Sequence, residues 1–140
     1  MLSSAEPVTL RLMTEHDLTM LHEWLNRPHI AEWWGGEAAR PTLAEVLEHY
    51  RPRVLGREPV IMYIAMQASE PIGFAQPYTA IGCGDGWWED ETDPAPGNHR
   101  AIRCYEKAGF VRERVISTPD GQAIYMIQTR QSFERARGAA

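Results

Sequence analysis

The sequence predicts an α+β fold of the mixed α/β kind, in which an antiparallel meander carries flanking helices. Three observations predict it: one strand pattern precedes two helical stripes, two hairpin signals lie downstream, and a capped helix stands between the hairpins. The chain has 140 residues, the size of one ordinary domain, and its 44% apolar and 24% charged residues are globular proportions.

Val8 to Met13 alternates apolar and polar side chains and runs into Thr14-Glu-His-Asp17, a helix start. Leu18, Leu21, Trp24 and Leu25 then keep helical spacing up to Asn26, Arg27 and Pro28. After a Trp33-Trp34-Gly35-Gly36 turn, Pro41-Thr42 opens a second helix with Leu43, Val46, Leu47 and Tyr50 on one face. Val60 to Met66 and Ile72 to Tyr78 are β-rich and joined by Gln67 to Pro71, a hairpin. Gly82, Gly84 and Gly86 form a turn into a further strand at Trp87-Trp88. Asn98 caps a helix whose Ala101, Ile102, Tyr105 and Ala108 share a face and which Gly109 ends. From Phe110, Val111 to Ile116 and Ala123 to Thr129 flank Ser117-Thr-Pro-Asp-Gly121, a second hairpin, before an Arg-rich short helix or loose tail.

Fourteen Lys and Arg against nineteen Asp and Glu give a charge of -5, opposite to the basic footprint of nucleic-acid or anionic-membrane binders. A cationic ligand suits this balance. The longest apolar run is far short of a membrane span and the N-terminal residues are polar and acidic, so a cytoplasmic protein is expected, monomeric or weakly self-associating. Cys83 and Cys104 have no zinc-type spacing and are read as reduced thiols; no two of the five His residues stand four apart, so no metal is expected.

Four of five Trp residues form the doublets Trp33-Trp34 and Trp87-Trp88, both beside Gly and carboxylates. The second lies among Asp85, Glu89, Asp90, Glu91 and Asp93, five acids in nine residues. Aromatic faces stack on sugar rings and attract ammonium groups, and carboxylates neutralise them, a chemistry suited to a polyamine. The other reading, core Trp side chains beside a solvated acidic loop, stays open at this level. Gly82-Cys-Gly-Asp-Gly86 is no phosphate cradle, since it lacks the P-loop Lys and adjoins acids that repel phosphate.

Asn98-His-Arg-Ala-Ile-Arg-Cys-Tyr-Glu-Lys-Ala-Gly-Phe110 resembles the N-x-x-A-x-x-x-Y-x-K-x-G-F helix motif of the GNAT N-acetyltransferases. Val8 to Asp17, Glu32 to Glu37, Arg40-Pro-Thr42, Tyr63 to Met66, Glu70 to Gly73, Gly84 to Trp88 and Tyr125-Met extend the resemblance to the aminoglycoside 6'-N-acetyltransferases. The resemblance implies transfer of acetyl from acetyl-CoA to the 6'-amine of an aminoglycoside, by direct attack in a ternary complex. By the same resemblance Tyr105 protonates the departing thiolate, although a Tyr at this spacing also reads as a helix residue packed on the sheet. Trp34, Glu58, Gln76, Asp85, Trp88 and Asp93 map onto the substrate pocket, Asp93 also as the candidate catalytic carboxylate, and Asn98 onto a residue near the CoA arm.

The family has a long segment between Asp93-Pro94 and Asn98, with a glycine-rich pyrophosphate loop, a helix and a central strand; only Ala95, Pro96 and Gly97 stand there. A loop, helix and strand of average size need roughly 25 residues or more. The expectation is a single GNAT-like domain over 1–140 with an internal deletion near 94–97, missing the CoA-loop helix and one central strand. Two alternatives follow from that gap: an aminoglycoside-binding module without turnover, and a deletion product without function.

Overall fold

The structure is a computed structural model, described here for residues 6–34, 40–77, 94–118 and 121–138. It forms two compact units, residues 1–82 and 83–140. The antiparallel sheets and flanking helices expected from the sequence are present in both.

In the first unit, β1 (Val8–Leu12) leads through a 3-10 turn (Glu15–Asp17) into α1 (Leu18–Leu25), α2 (Pro28–Ala31) and α3 (Leu43–Val54). β2 (Tyr63–Gln67) and β3 (Glu70–Ala75) complete an antiparallel sheet in the order β1-β2-β3, with Arg11 opposite Ile64 and Ile64 opposite Phe74. The core is Leu18, Leu21 and Leu25 of α1, Val46 and Tyr50 of α3 and Ile64 of β2, all buried. Of the expected helical stripes, Trp24 is half-buried and Leu43 is exposed. The short α2 was not legible as a separate helix: Pro28 ends α1's pattern, yet it is also a good first residue for a new turn, because its missing N–H is not needed there.

Thr42 starts α3 with a reciprocal cap, its hydroxyl accepting from the Glu45 amide at 3.2 Å while the Glu45 carboxylate accepts from the Thr42 amide at 2.7 Å. The helix runs through Pro52, which has no N–H to offer the Glu48 carbonyl. Its end closes with the Leu55 and Arg57 amides donating to the Arg51 and Pro52 carbonyls at 3.0 and 2.9 Å. The β2–β3 hairpin is tighter than expected, turning over Ala68-Ser69 with Ala68 at φ +53° rather than over five residues. Pro71 enters the ladder opposite Met66, next to a bulge, where its lack of a donor is tolerated. Regular pairing starts at Tyr63 rather than Val60, although the Met62 carbonyl still accepts from Met13 at 2.9 Å.

In the second unit, α4 (His99–Ala108) is followed by β4 (Val111–Thr118), β5 (Gly121–Ile127) and α5 (Arg130–Gly138). The tail left open in the sequence is a helix, opened by a reciprocal pair between Thr129 and Ser132. The β4–β5 hairpin is antiparallel, with a bulge between Arg112 and Arg114. Pro94 accepts from the Ile124 amide at 2.9 Å, so the chain just before α4 runs beside β5. Of the apolar face expected for α4, Ile102 is fully buried while Tyr105 and Ala108 are exposed.

Gly109 ends α4 at φ +102°, and a Cβ built on it would stand 2.9 Å from the Phe133 Cα of α5. Gly109→Ala must therefore both strain a left-handed backbone and push back a helix, and should cost about 2 to 4 kcal/mol in a urea melt; a loss below half a kcal/mol would show that α5 does not seat on this glycine.

Asp17 accepts two hydrogen bonds from Arg11, at 2.7 and 2.8 Å, and one from the Thr14 amide at 2.8 Å. The Arg11 bonds lead, joined by those from Thr14, in lowering its pKa to about 2 from 3.8. A depressed carboxylate stabilises the fold above its unfolded pKa and loses that contribution as pH falls through its folded one. Acid titration should show stability falling between about pH 4 and pH 2. The pair is partly open to water, so Asp17→Asn should remove about 1 kcal/mol at neutral pH and flatten that window; an unchanged acid limb in the variant would assign the loss to other carboxylates.

Candidate active site

Three residues expected in the substrate pocket, Trp34, Glu58 and Gln76, are brought together by two that the sequence reading did not single out for the site, Tyr50 and Arg53. Trp34 closes the turn after α2, its amide bonded to the Ile30 carbonyl at 2.9 Å. Its indole N–H donates to the Tyr50 hydroxyl of α3 at 3.3 Å, and its ring meets the Phe74 ring of β3 edge-on at 5.6 Å.

Tyr50 is buried beneath two neighbours. The His49 ring stands edge-on to it at 4.6 Å, and the Arg53 guanidinium lies 5.7 Å from its centroid. Arg53 is itself only 5% exposed. Its Nε donates to Glu58 Oε2 at 2.9 Å and its Nη1 to Gln76 Oε1 at 3.1 Å. The chain of contacts thus runs from Trp34 through Tyr50 and Arg53 to Glu58 and Gln76.

Beside this chain lies a cavity of about 580 Å³, within the range that holds a drug-sized ligand. Its lining includes the aromatic rings of Trp34, His49 and Tyr50 and the carboxylates of Glu45, Glu48 and Glu58. Glu45 is already committed to capping α3, and the Thr42 amide and hydroxyl hold it below the usual carboxylate range. Rings and anions around one cavity suit a ligand with apolar ring faces and several ammonium groups.

The signal for Tyr50 and Arg53 was weak. Tyr50 read as one more member of an apolar stripe, and Arg53 follows it by three residues, close enough on a helix to meet it, but in an Arg51-Pro52-Arg53 run that looks solvated.

Asn98 and Tyr105 lie in the second unit. The Asn98 side chain accepts from the Ala101 amide at 3.2 Å and so caps α4. Tyr105 sits near the end of that helix, 40% exposed, with its ring edge-on to Phe110 at 5.5 Å. Asp85, Trp88 and Asp93 fall outside the described residues, as does the Gly82 to Gly86 turn. Among the described residues no three His, Cys, Asp or Glu side chains gather as a metal site would need, and no helix is long and apolar enough to cross a membrane.

A family model described as acetyltransferase (GNAT) domain matches residues 13–83. An aminoglycoside N(6')-acetyltransferase type 1 of Klebsiella pneumoniae is 52% identical, the match covering 99% of this chain and 90% of the relative. That alignment spans 182 positions against 140 residues here, so at least 42 positions have no residue of this chain. A solved structure of AAC(6')-Ib with ribostamycin and coenzyme A superposes with a TM-score of 0.82 at 52% identity, over 96% of this chain and 100% of that one. A crystal structure of AAC(6')-Ib with coenzyme A and kanamycin gives 0.79 at 51% identity, over 94% and 99%.

Proposed function

Because the chain belongs to the GNAT acetyltransferases, and within them to the aminoglycoside N(6')-acetyltransferases, we propose that it transfers acetyl from acetyl-CoA to the 6'-amine of an aminoglycoside antibiotic. The observation that carries this reading is the cavity that puts Trp34, Tyr50, Glu48 and Glu58 around one ligand-sized volume. An aminoglycoside has what such a cavity selects: ring faces that stack on aromatic side chains and amines that are ammonium at neutral pH. Acetylating the 6'-amine removes one of those charges.

The chemistry asks little of the protein beyond placement. The neutral amine nitrogen attacks the thioester carbonyl carbon, a C–N bond forms, the C–S bond breaks, and the amine proton must leave while the thiolate gains one. The Tyr105 hydroxyl is the donor to the thiolate in this reading, and Asp93 the carboxylate that takes the amine proton, directly or through water. By the family resemblance Asp85 and Trp88 are further aminoglycoside-binding residues, and Asn98, whose side-chain oxygen caps α4, has its NH2 for the CoA arm. A supply of acetyl-CoA puts the reaction in the cytoplasm.

Acetyl-CoA is the weaker partner. We place the unmatched positions of the relatives between Pro94 and Asn98, within one GNAT domain interrupted near 94–97, where the family carries its pyrophosphate loop. The described residues nearest that point offer Arg100, Arg103 and Lys107, all exposed on α4, and the Asn98 side-chain oxygen is committed to the helix cap. Separate surface cations without a cradle of backbone amides hold a pyrophosphate poorly. The dissociation constant for acetyl-CoA should be about a millimolar or worse, ~4 kcal/mol of binding at most.

Mass spectrometry of kanamycin incubated with the protein should show mono-acetylated product at millimolar acetyl-CoA and little at micromolar; bound kanamycin with no product at any concentration would make the chain a binding module instead. Tyr105→Phe should lower turnover at least tenfold and leave aminoglycoside affinity within twofold, because the hydroxyl acts only as the thiolate develops. Equal turnover in that variant removes Tyr105 from the mechanism.

A further inference from the structure

Among the described residues that line the cavity, His49 is the one able to carry a positive charge. It is exposed on α3 with its ring edge-on to Tyr50 at 4.6 Å, and it shares the wall with the carboxylates of Glu45, Glu48 and Glu58. Imidazole is the side chain that ordinarily changes its charge between about pH 5 and 8. Of its neighbours in the wall, Leu25 of α1 and Trp34 after α2 carry no charge, and Glu45 is held below the usual carboxylate range by Thr42. Glu58 faces the Arg53 guanidinium, which keeps its proton throughout. The other four His residues, His16, His22, His29 and His99, are not part of this lining.

We propose that an aminoglycoside in this cavity and a proton on His49 oppose one another, so that the ligand is held tightest when the ring is neutral. In the empty cavity the carboxylates favour the imidazolium. A ligand with several ammonium groups takes over those carboxylates and sets like charge against the ring. A neutral imidazole also has a nitrogen that accepts a hydrogen bond, whereas an imidazolium only donates, as an ammonium does. The two forms of His49 therefore bind the ligand unequally, and reciprocally the ligand must drive the proton off. The bound protein holds fewer protons than the free one, so affinity rises with pH. The proposal deepens the aminoglycoside reading and rests on it.

Calorimetric titration of ribostamycin, without acetyl-CoA, between about pH 5.5 and 7 in buffers of different ionisation enthalpy tests it. The ligand's amines are ammonium across this range, so a slope belongs to the protein. The parent should bind about fivefold more weakly at the acid end and release about half a proton per ligand near the middle, and His49→Gln should flatten both. Equal affinity across the range in the parent, or the same slope in His49→Gln, overturns this proposal alone. In case that variant does not fold, NMR of the parent's His49 ring is the second measurement. Saturating ribostamycin should move its titration midpoint to lower pH by about one pH unit, the same coupling seen from the proton's side; an unmoved or raised midpoint overturns the proposal. A parent protein that binds no ribostamycin at any of these pH values takes down the aminoglycoside reading as well.

Discussion

A guanidinium does not give up its proton inside a protein, so one taken out of water has to bring its acceptors with it. Arg53 does this at the end of α3, and much of the first unit's local arrangement is what its satisfaction requires. The residues that follow α3 must return Glu58 to the helix, the end of β3 must deliver Gln76 to the same point, and Tyr50 must lie one turn back with its ring towards the cation. Tyr50 in turn receives the Trp34 indole. The end of α3, the residues just past it and the end of β3 are tied by one planar group, with Trp34 joined through Tyr50, and the tie stands beside the cavity rather than in the apolar centre made by Leu18, Leu21, Val46 and Ile64.

Pro52 fits the same constraint. It sits directly before Arg53 and denies the Glu48 carbonyl its helical partner, and the last turn of α3 closes with the Leu55 and Arg57 amides on the Arg51 and Pro52 carbonyls. The helix runs one residue past Arg53 and ends at Val54, which leaves Glu58 in the chain beyond it, free to turn back towards the guanidinium.

The sequence carried the fold through its strongest periodicities. The α1 stripe of Leu18, Leu21 and Leu25, the Pro41-Thr42 helix start, both hairpins and the Asn98 to Gly109 helix were legible because each is decided within a few residues by spacing or by a cap. What escaped was decided by partners distant in sequence. The β2–β3 turn closed over two residues because Pro71 found a bulge opposite Met66, which no local pattern announces. The site divides the same way: Trp34, Glu58 and Gln76 came from a family resemblance, whereas Arg53 looked like a surface charge until its acceptors, five and 23 residues away, converged on it.

β1 is an outer strand of its three-stranded sheet, and Val8, Leu10 and Leu12 on its alternating face are each more than half exposed. An outer strand with an apolar stripe is a ready template for another chain's backbone, since the edge of β1 that no described strand pairs and its side chains invite the same neighbour. Encounters between copies grow with the square of concentration, whereas drug modification grows only in proportion to it. Expression level is then a two-edged variable: each added copy raises the encounter rate along this strand faster than it raises the rate of modification.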